Sequence, residues 1–459
     1  MGHGNGIAQA LGEKLDGDVV APGDSSWDDA RRAWNLTADQ NPALVVYAQS
    51  AEDVVATVRL ARDGGLGVAA QGTGHGAAPM APLDEVVLIK TERMNGVDVD
   101  PGSETARVEA GVLSLALMEA CDPAGLAAPA GSSPDVSVVG YSLGGGLGWL
   151  GRKHGFACNR IVALDVVTAD GEARRVDADS EPDLFWAMRG GGGSFAIVTA
   201  IEVALVRAPE IFAGTVVHPA DDALGVVQAY REWTAGVPEE LTSTVRLLHL
   251  PPLPQVPEPL RDRDVVTIGA CFLGPASEGE ELLAPVRGLA EPIMDMYAPM
   301  PASGLSRIAM DPEEPVPGLV NGALLRDLDE DAVDAFVEVA GPGSGSPLLS
   351  AELRHLGGGL ARPAEGAGAL SHLDAAFAFN GVGMAMSPEM GAAVSAHTER
   401  VREAMDRWLA RGVFLNFADR PAAFEDLFAA EVGSRLSEVK RDWDPDDVIR
   451  ANHAVPAAA

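Results

Sequence analysis

Between residues 42 and 90 the spacing of apolar positions changes period twice. "PALVVYAQ" and "LGVAAQG" are short apolar runs of strand length, and "SAEDVVATVRLARDGG" (50–65) between them carries apolar residues at helical spacing. Ser50 and Asp53 stand three apart at its start, as in a capping box, and Gly64 and Gly65 stop it. With the apolar "DEVVLIK" (84–90), the segment predicts strand, helix, strand, loop, strand. The loop, "QGTGHGAA" (71–78), sets His75 among Gly72, Gly74 and Gly76, residues that let backbone come close to a ligand.

Two further glycine-rich zones follow. "VVGYSLGGGLGWLGRKHG" (138–155) leads into "RIVALDVVTADGEARRVD", which predicts two strands joined at Asp170-Gly171, and "DLFWAMRGGGGSFAIVTAIEVALV" (183–206) ends in a β-rich run. After Arg207 the proline-rich "LPPLPQVPEPLRDRD" (250–264) reads as an extended connector. "DVVTIGACFLG", "PLLSAELRHLGG" and "LDAAFAFNGVGMAM" read as strands, "SEGEELLAPVRGLA" as a helix, and residues 387–410 as one long amphipathic helix.

Composition narrows the functional classes. The 459 residues are 47% hydrophobic, enough for two or three domains with real cores. Thirty-three basic against 67 acidic side chains leave a formal charge of -34, which repels phosphate backbones and anionic lipid, so neither nucleic acid nor membrane is expected as a partner. Cys121, Cys158 and Cys271 show no CxxC spacing, and there is no HExxH, so neither a disulfide framework nor a metal site is expected. No leader pattern and no long apolar span occur, which predicts a soluble, cytoplasmic protein.

"GLGWLG" (146–151) matches the dinucleotide fingerprint G-x-G-x-x-G, with Asp165 and Asp170 further on. Such a loop must open a helix between two parallel strands, whereas here only a short segment precedes the β-like "RIVALDVVTAD". A nicotinamide site is therefore not the reading.

Taken in order, "PALVVYAQSAEDVVATVRLARDGGLGVAAQGTGHGA", "YSLGGGLGWLGRKHG", "VVTADGE", "PDLFWAMRGGGGSFAIVTAIEV" and "VKRDWDPDDVIRAN" resemble the vanillyl-alcohol-oxidase (PCMH-type) FAD proteins. The resemblance is to the berberine-bridge-enzyme-like branch, nearest its actinomycete antibiotic-pathway members of the enterocin type. It covers about half of the chain. It implies an α+β fold, in which a two-part PCMH-type FAD-binding domain carries an inserted α+β substrate domain with an antiparallel sheet flanked by helices. The expected division is 1–206 for the N-terminal portion, 207–411 for the substrate domain, and 412–459 for the return to the FAD domain.

The resemblance also implies where FAD would lie. Gly72, Thr73, Gly74, His75 and Gly76 form one contact, and Ser137, Gly140, Tyr141, Gly144 and Gly145 a second. Ile197 and Val198 fall on the adenine side, and Asn416 and Asn452 come from the C-terminal segment. In an acidic chain, backbone N–H groups of glycine loops are the means of replacing the hydration lost by a pyrophosphate. His75 occupies the place of the histidine that the branch bonds to the flavin 8α-methyl group, although Thr73 and Gly76 depart from the usual Gly-Gly-His-Ser. Ser133 stands where many relatives carry a second, cysteinyl tether, so a single covalent bond is expected.

A proton acceptor is less plainly marked. Phe417 replaces the tyrosine often found after the asparagine of the C-terminal segment, and phenylalanine cannot accept a proton. Tyr141 is one candidate. Glu352 is the other: strand alternation in "LLSAELRHL" puts Ser350, Glu352 and Arg354 on one face, where desolvation would raise the Glu352 pKa toward that of a useful base. A solvated glutamate paired with Arg354, or with a lysine or arginine elsewhere, is the competing reading.

These features together imply an FAD-linked oxidoreductase in which a secondary metabolite, polyketide-like or another natural product, gives hydride to flavin N5 and dioxygen reoxidises the flavin. Oxygen insertion through a flavin-oxygen species and sequestration of a toxic metabolite for self-resistance are the rival readings.

Overall fold

The alternation read from residues 42–90 holds in the computed structural model of the chain, which describes residues 2–254 and 256–458. Strands Leu44–Tyr47, Gly67–Gln71 and Val86–Lys90 flank the helix Ala51–Asp63. Ser50 caps that helix, its hydroxyl accepting from the Asp53 N–H at 3.2 Å. The buried Val54, Val58 and Ala61 face the sheet. Burying each such valine is worth about 1.5–3 kcal/mol, so packing rather than propensity holds the element.

Those strands form a four-stranded sheet in the order Asp18–Val20, Leu44–Tyr47, Val86–Lys90, Gly67–Gln71, parallel apart from its first strand. The C-terminal tail adds to the open edge. Val68 N–H donates to the Val448 carbonyl at 2.7 Å, and Arg450 N–H donates to the Val68 carbonyl at 2.8 Å.

A second sheet has five antiparallel strands in the order Val97–Asp100, Thr105–Glu109, Ala196–Ala204, Ile161–Thr168, Ala173–Asp177. Its last hairpin turns at Asp170 and Gly171, as the sequence predicts, with Gly171 N–H donating to the Thr168 carbonyl at 2.8 Å.

The third sheet has eight strands, built from Ile211–Pro219, Leu241–Leu250, Arg263–Leu273, Gly318–Leu325, Leu348–His355 and Phe377–Met384 with two short strands at one edge. Helices Ala223–Thr234, Ala276–Arg287, Glu330–Ala340 and Pro388–Ala404 cover one face, where Val245, Ile268, Ala351, Leu353 and Phe379 pack against Tyr230, Leu283, Phe336 and Val401. Alternation sends the neighbouring residues of each strand to the opposite face. Cys271, Leu324 and Ala378 of that face join the core shared with Leu147, Trp149 and Phe414. The sheet therefore packs over the glycine-rich zone like a roof over a floor.

One reading needs adjustment. The helix of residues 387–410 ends at Ala404, and its last part turns as a short 3-10 segment, Asp406–Trp408, that buries Trp408. The proline-rich 250–264 joins two neighbouring strands of one sheet, in which Leu250 pairs with Arg263. "GLGWLG" is followed by a helix of only four residues, Gly151–His154, and then by an antiparallel strand, so no dinucleotide unit forms.

Candidate functional site

The histidine loop leaves the edge strand Gly67–Gln71 and folds against the chain at Trp34. Trp34 N–H donates to the Thr73 carbonyl at 3.0 Å and Asn35 N–H to the Gly74 carbonyl at 3.3 Å. Gly74 has φ +93°, and a Cβ there would lie 2.8 Å from that of Ala33, so this turn needs glycine. The Trp34 indole stacks on the His75 ring, centroids 3.9 Å apart and planes 16° from parallel. Thr73 Oγ1 lies 2.8 Å from His75 Nδ1, and Asp135 Oδ1 lies 3.4 Å from Nε2. Asp135 belongs to the loop before the second glycine zone, sixty residues from His75 in sequence. That neighbour had no sequence signal.

Tertiary packing brings the predicted cofactor residues together. A Cβ on Gly72 would lie 2.6 Å from that of Ser137, whose hydroxyl donates to the Ala110 carbonyl at 3.4 Å. Ala110 N–H in turn donates to the Thr199 carbonyl at 3.0 Å, just after Ile197 and Val198. Those two residues are buried in the second sheet opposite Val167 and Val166. Beside Gly76 stands Asn452, its Nδ2 3.3 Å from where a Cβ would be.

The C-terminal segment reaches that place through a buried ion pair. Lys440 Nζ donates to Asp444 at 2.6 Å and to the carbonyls of Ser194 and Ile449, while Asp444 accepts from the N–H groups of Val448 and Ile449. The cluster ties the tail to the end of the four-glycine run.

Asn416 serves the floor directly. Its Oδ1 accepts from Gly146 N–H at 2.8 Å and its Nδ2 donates to the Tyr141 carbonyl at 3.3 Å. A Cβ on Gly144 would lie 2.5 Å from that Nδ2. Gly145 follows with Phe414 and Leu370 against it. Gly140 has no atom within 4 Å of a missing Cβ, so the helix Val138–Leu143 presents bare backbone to open space.

Above lies the roof face. Arg246 donates to Glu352 at 2.5 Å and to Asp311 at 3.2 Å, and Arg354 donates to the other Glu352 oxygen at 3.0 Å. Arg354 also approaches the rings of Trp149 and Phe417. Asp311 accepts from the hydroxyls of Ser132 and Ser133, so the serine at the second-tether position anchors the roof to the floor. Asn380 pairs across from Glu352 on the same face.

The expected upward shift of Glu352 is reversed. Burial pushes its carboxyl up, but the charges of Arg354 and Arg246 outweigh burial and hold it below the usual carboxylate range. The pairing with Arg354 is thus present, joined by Arg246, and Glu352 is a buried carboxylate rather than a solvated one. Burial pushes the Tyr141 phenol up, against the pull of Arg354. Asp419, which sequence reasoning passed over, is raised by burial to about 6 and accepts from Asn35 and from Val320 N–H.

The arrangement fits a flavin. His75 Nε2, both Asp135 oxygens, the Tyr141 hydroxyl and the Gln71 amide are buried with no hydrogen-bond partner among the described residues. The Gln71 amide lies against Gly74 and the Tyr141 ring against Gly146, and unpartnered polar atoms beside glycine backbone are what a polar, flat cofactor would satisfy. Among the described residues no helix is long and apolar enough to cross a membrane.

A family profile described as an FAD binding domain matches residues 42–177. Along its length the chain is similar to (R)-6-hydroxynicotine oxidase of Paenarthrobacter nicotinovorans, 29% identical over 96% of this chain and 97% of that one. Its structure is similar to that of 6-hydroxy-D-nicotine oxidase from Arthrobacter nicotinovorans, with a TM-score of 0.81 and 25% identity over 96% and 98% of the two chains. It also has the fold of BBE-like 1 from Physcomitrella patens, with a TM-score of 0.84 and 19% identity over 99% of both chains.

Proposed function

The chain is an FAD-dependent oxidoreductase with the berberine-bridge-enzyme-like fold, and from that premise we propose that it oxidises a small secondary metabolite, with dioxygen as the final acceptor. The supporting observation is the buried Arg246–Glu352–Arg354 array, whose Arg354 reaches the glycine floor at the Leu147 carbonyl, Trp149 and Phe417. Bound FAD would supply a two-electron acceptor for hydride. The residues to hold it are Gly72, Thr73, Gly74, His75 and Gly76, then Ser137, Gly140, Tyr141, Gly144 and Gly145, with Ile197, Val198, Asn416 and Asn452. His75 is the single covalent tether, because Ser133 has no thiol and is engaged with Asp311.

Glu352 or Tyr141 takes the substrate proton; Glu352 is ionised and buried, at the cost of a basicity that its two arginines lower. Its two arginines keep it ionised and hold its oxygens at fixed positions, and Tyr141 orients the substrate from the floor. Excluding water from this array strengthens each charge interaction within it. The substrate is a neutral or weakly polar alcohol or enolisable C–H compound, polyketide-like among natural products. The division at 1–206, 207–411 and 412–459 follows from the same reading, as does a cytoplasmic site of action.

Acid precipitation of the purified protein tests the tether: the pellet stays yellow, and free FAD in the supernatant would refute it. Anaerobic bleaching by one pathway metabolite, with peroxide formed on readmitting air, supports oxidation. Labelled oxygen in the product would replace this reading with oxygen insertion.

A further inference from the structure

His75 is held on three sides by groups that do different things. Trp34 stacks on one ring face and fixes its plane. Thr73 Oγ1 sits 2.8 Å from Nδ1. Asp135 faces Nε2 at 3.4 Å, with 18% of its side chain exposed against 23% for His75. Neither Asp135 oxygen has a hydrogen-bond partner among the described residues, and nor does Nε2. Two complementary groups whose buried polar atoms lack any other partner therefore lie 3.4 Å apart, close enough for a hydrogen bond but not aligned for one. Such contacts commonly tighten when a ligand closes the site.

We propose that Asp135 is a positioning residue that prepares His75 for bonding to the flavin: its carboxylate accepts the Nε2–H and so leaves the lone pair on Nδ1. The inference rests on the reading of His75 as the tether. A hydroxyl can donate as well as accept, so Thr73 donates to Nδ1 in this tautomer and releases it by rotating. Imidazole bonded through Nδ1 becomes cationic unless Nε2 gives up its proton, and Asp135 stands where that proton leaves.

The step balances. A C–N bond forms between Nδ1 and the 8α carbon, whose methyl C–H bond breaks with loss of its proton to solvent, and the Nε2 proton passes to Asp135. Two electrons remain on the isoalloxazine and go to dioxygen, giving hydrogen peroxide. Asp135 then returns its proton to water. Unlike the glycine loops, which bind the cofactor whether or not it is tethered, Asp135 acts on the rate of tethering alone.

The test uses the full chain made under riboflavin limitation, to which FAD is added in air. Acid-stable flavin is followed with time by the mass of the His75 peptide, and non-covalent FAD affinity is measured on each variant in parallel. Asp135→Ala is expected to slow tethering roughly 100-fold, the scale of a lost proton acceptor, while FAD still binds. Asp135→Asn can still accept the Nε2–H but cannot take the proton, so it falls between wild type and Asp135→Ala. Added formate restores Asp135→Ala and formamide does not, which a merely structural role would not produce.

Nitrogen NMR of labelled protein before FAD addition shows Nε2 protonated in the wild type and a mixture of tautomers in Asp135→Ala. If wild type tethers and both variants tether at its rate, Asp135 has no such role. If wild type itself releases all its FAD in acid, the tether reading fails, and that result is distinct from the first. Should Asp135→Ala not fold, Asp135→Asn and the wild-type tautomer still decide.

Discussion

The floor and the roof of this site are made in opposite ways. The floor is largely main chain: glycines at 72, 74, 76, 140, 144 and 145, with few side chains except His75, Ser137 and Tyr141. The roof is side chain throughout, with Arg246, Glu352 and Arg354 projecting from two adjacent strands and Asp311 from a loop. A cofactor of constant shape is suited by backbone N–H groups whose positions the fold sets. Substrate contacts vary with side chains on a sheet that can keep its other face packed.

The difference predicts different failures. The largest effect belongs to the pair that closes the floor: Lys440→Met leaves Asp444 buried without its cation, costing about 3–5 kcal/mol. Thermal unfolding checks the loss, and flavin fluorescence should rise at the same lowered temperature as the tethered FAD meets water, because the tail carries Asn452 to Gly76.

On the roof, Glu352→Ala takes the carboxylate from the buried Arg354 and leaves Arg246 to Asp311, and should cost a similar amount, whereas Glu352→Gln keeps the shape. The glutamine variant should fold, stay yellow and lose roughly 10²–10⁴ in kcat, measured by flavin reduction. If it reduces flavin normally, the proton acceptor is elsewhere. Because the Glu352 pKa is lowered, its contribution to stability is present above the ordinary value of 4.5 and is lost only as pH falls below it.

Asp419 sets the opposite sign. Its pKa rises from 3.8 to about 6, so its stabilising effect is complete below pH 3.8 and disappears as pH rises through about 6. Asp419→Asn should flatten that fall and gain on the order of 1–3 kcal/mol at pH 7–8, read from melting temperatures across pH 4–8. Equal pH profiles for the two proteins would remove the assignment.

Smallest is the exposed pair Arg59–Glu172, which joins the helix Ala51–Asp63 to the second sheet's hairpin at 2.7 Å. Arg59→Ala should change stability by about 1 kcal/mol or less, and salt should mask it.

The floor was the legible half. Ser50 as a cap, the strands to either side of it, the Asp170-Gly171 hairpin and the His75 loop all depend on residues close in sequence, where glycine and alternation carry direct backbone meaning. Even the C-terminal motif "VKRDWDPDDVIRAN" is local in one sense, since Lys440 and Asp444 stand four apart on one helix turn and can pair. The roof was legible only as strands. Alternation put Glu352 and Arg354 on one face, but neither the sign of the Glu352 shift nor the involvement of Arg246 could be read, because their meeting depends on strand pairing across more than a hundred residues.

The same division holds at His75. Local sequence set the loop, its glycines and the histidine within it, because a turn of that shape is decided by the φ angles its own residues allow. Tertiary structure alone brought Trp34 over the ring and Asp135 to Nε2, since stacking and charge act through space and are indifferent to distance along the chain.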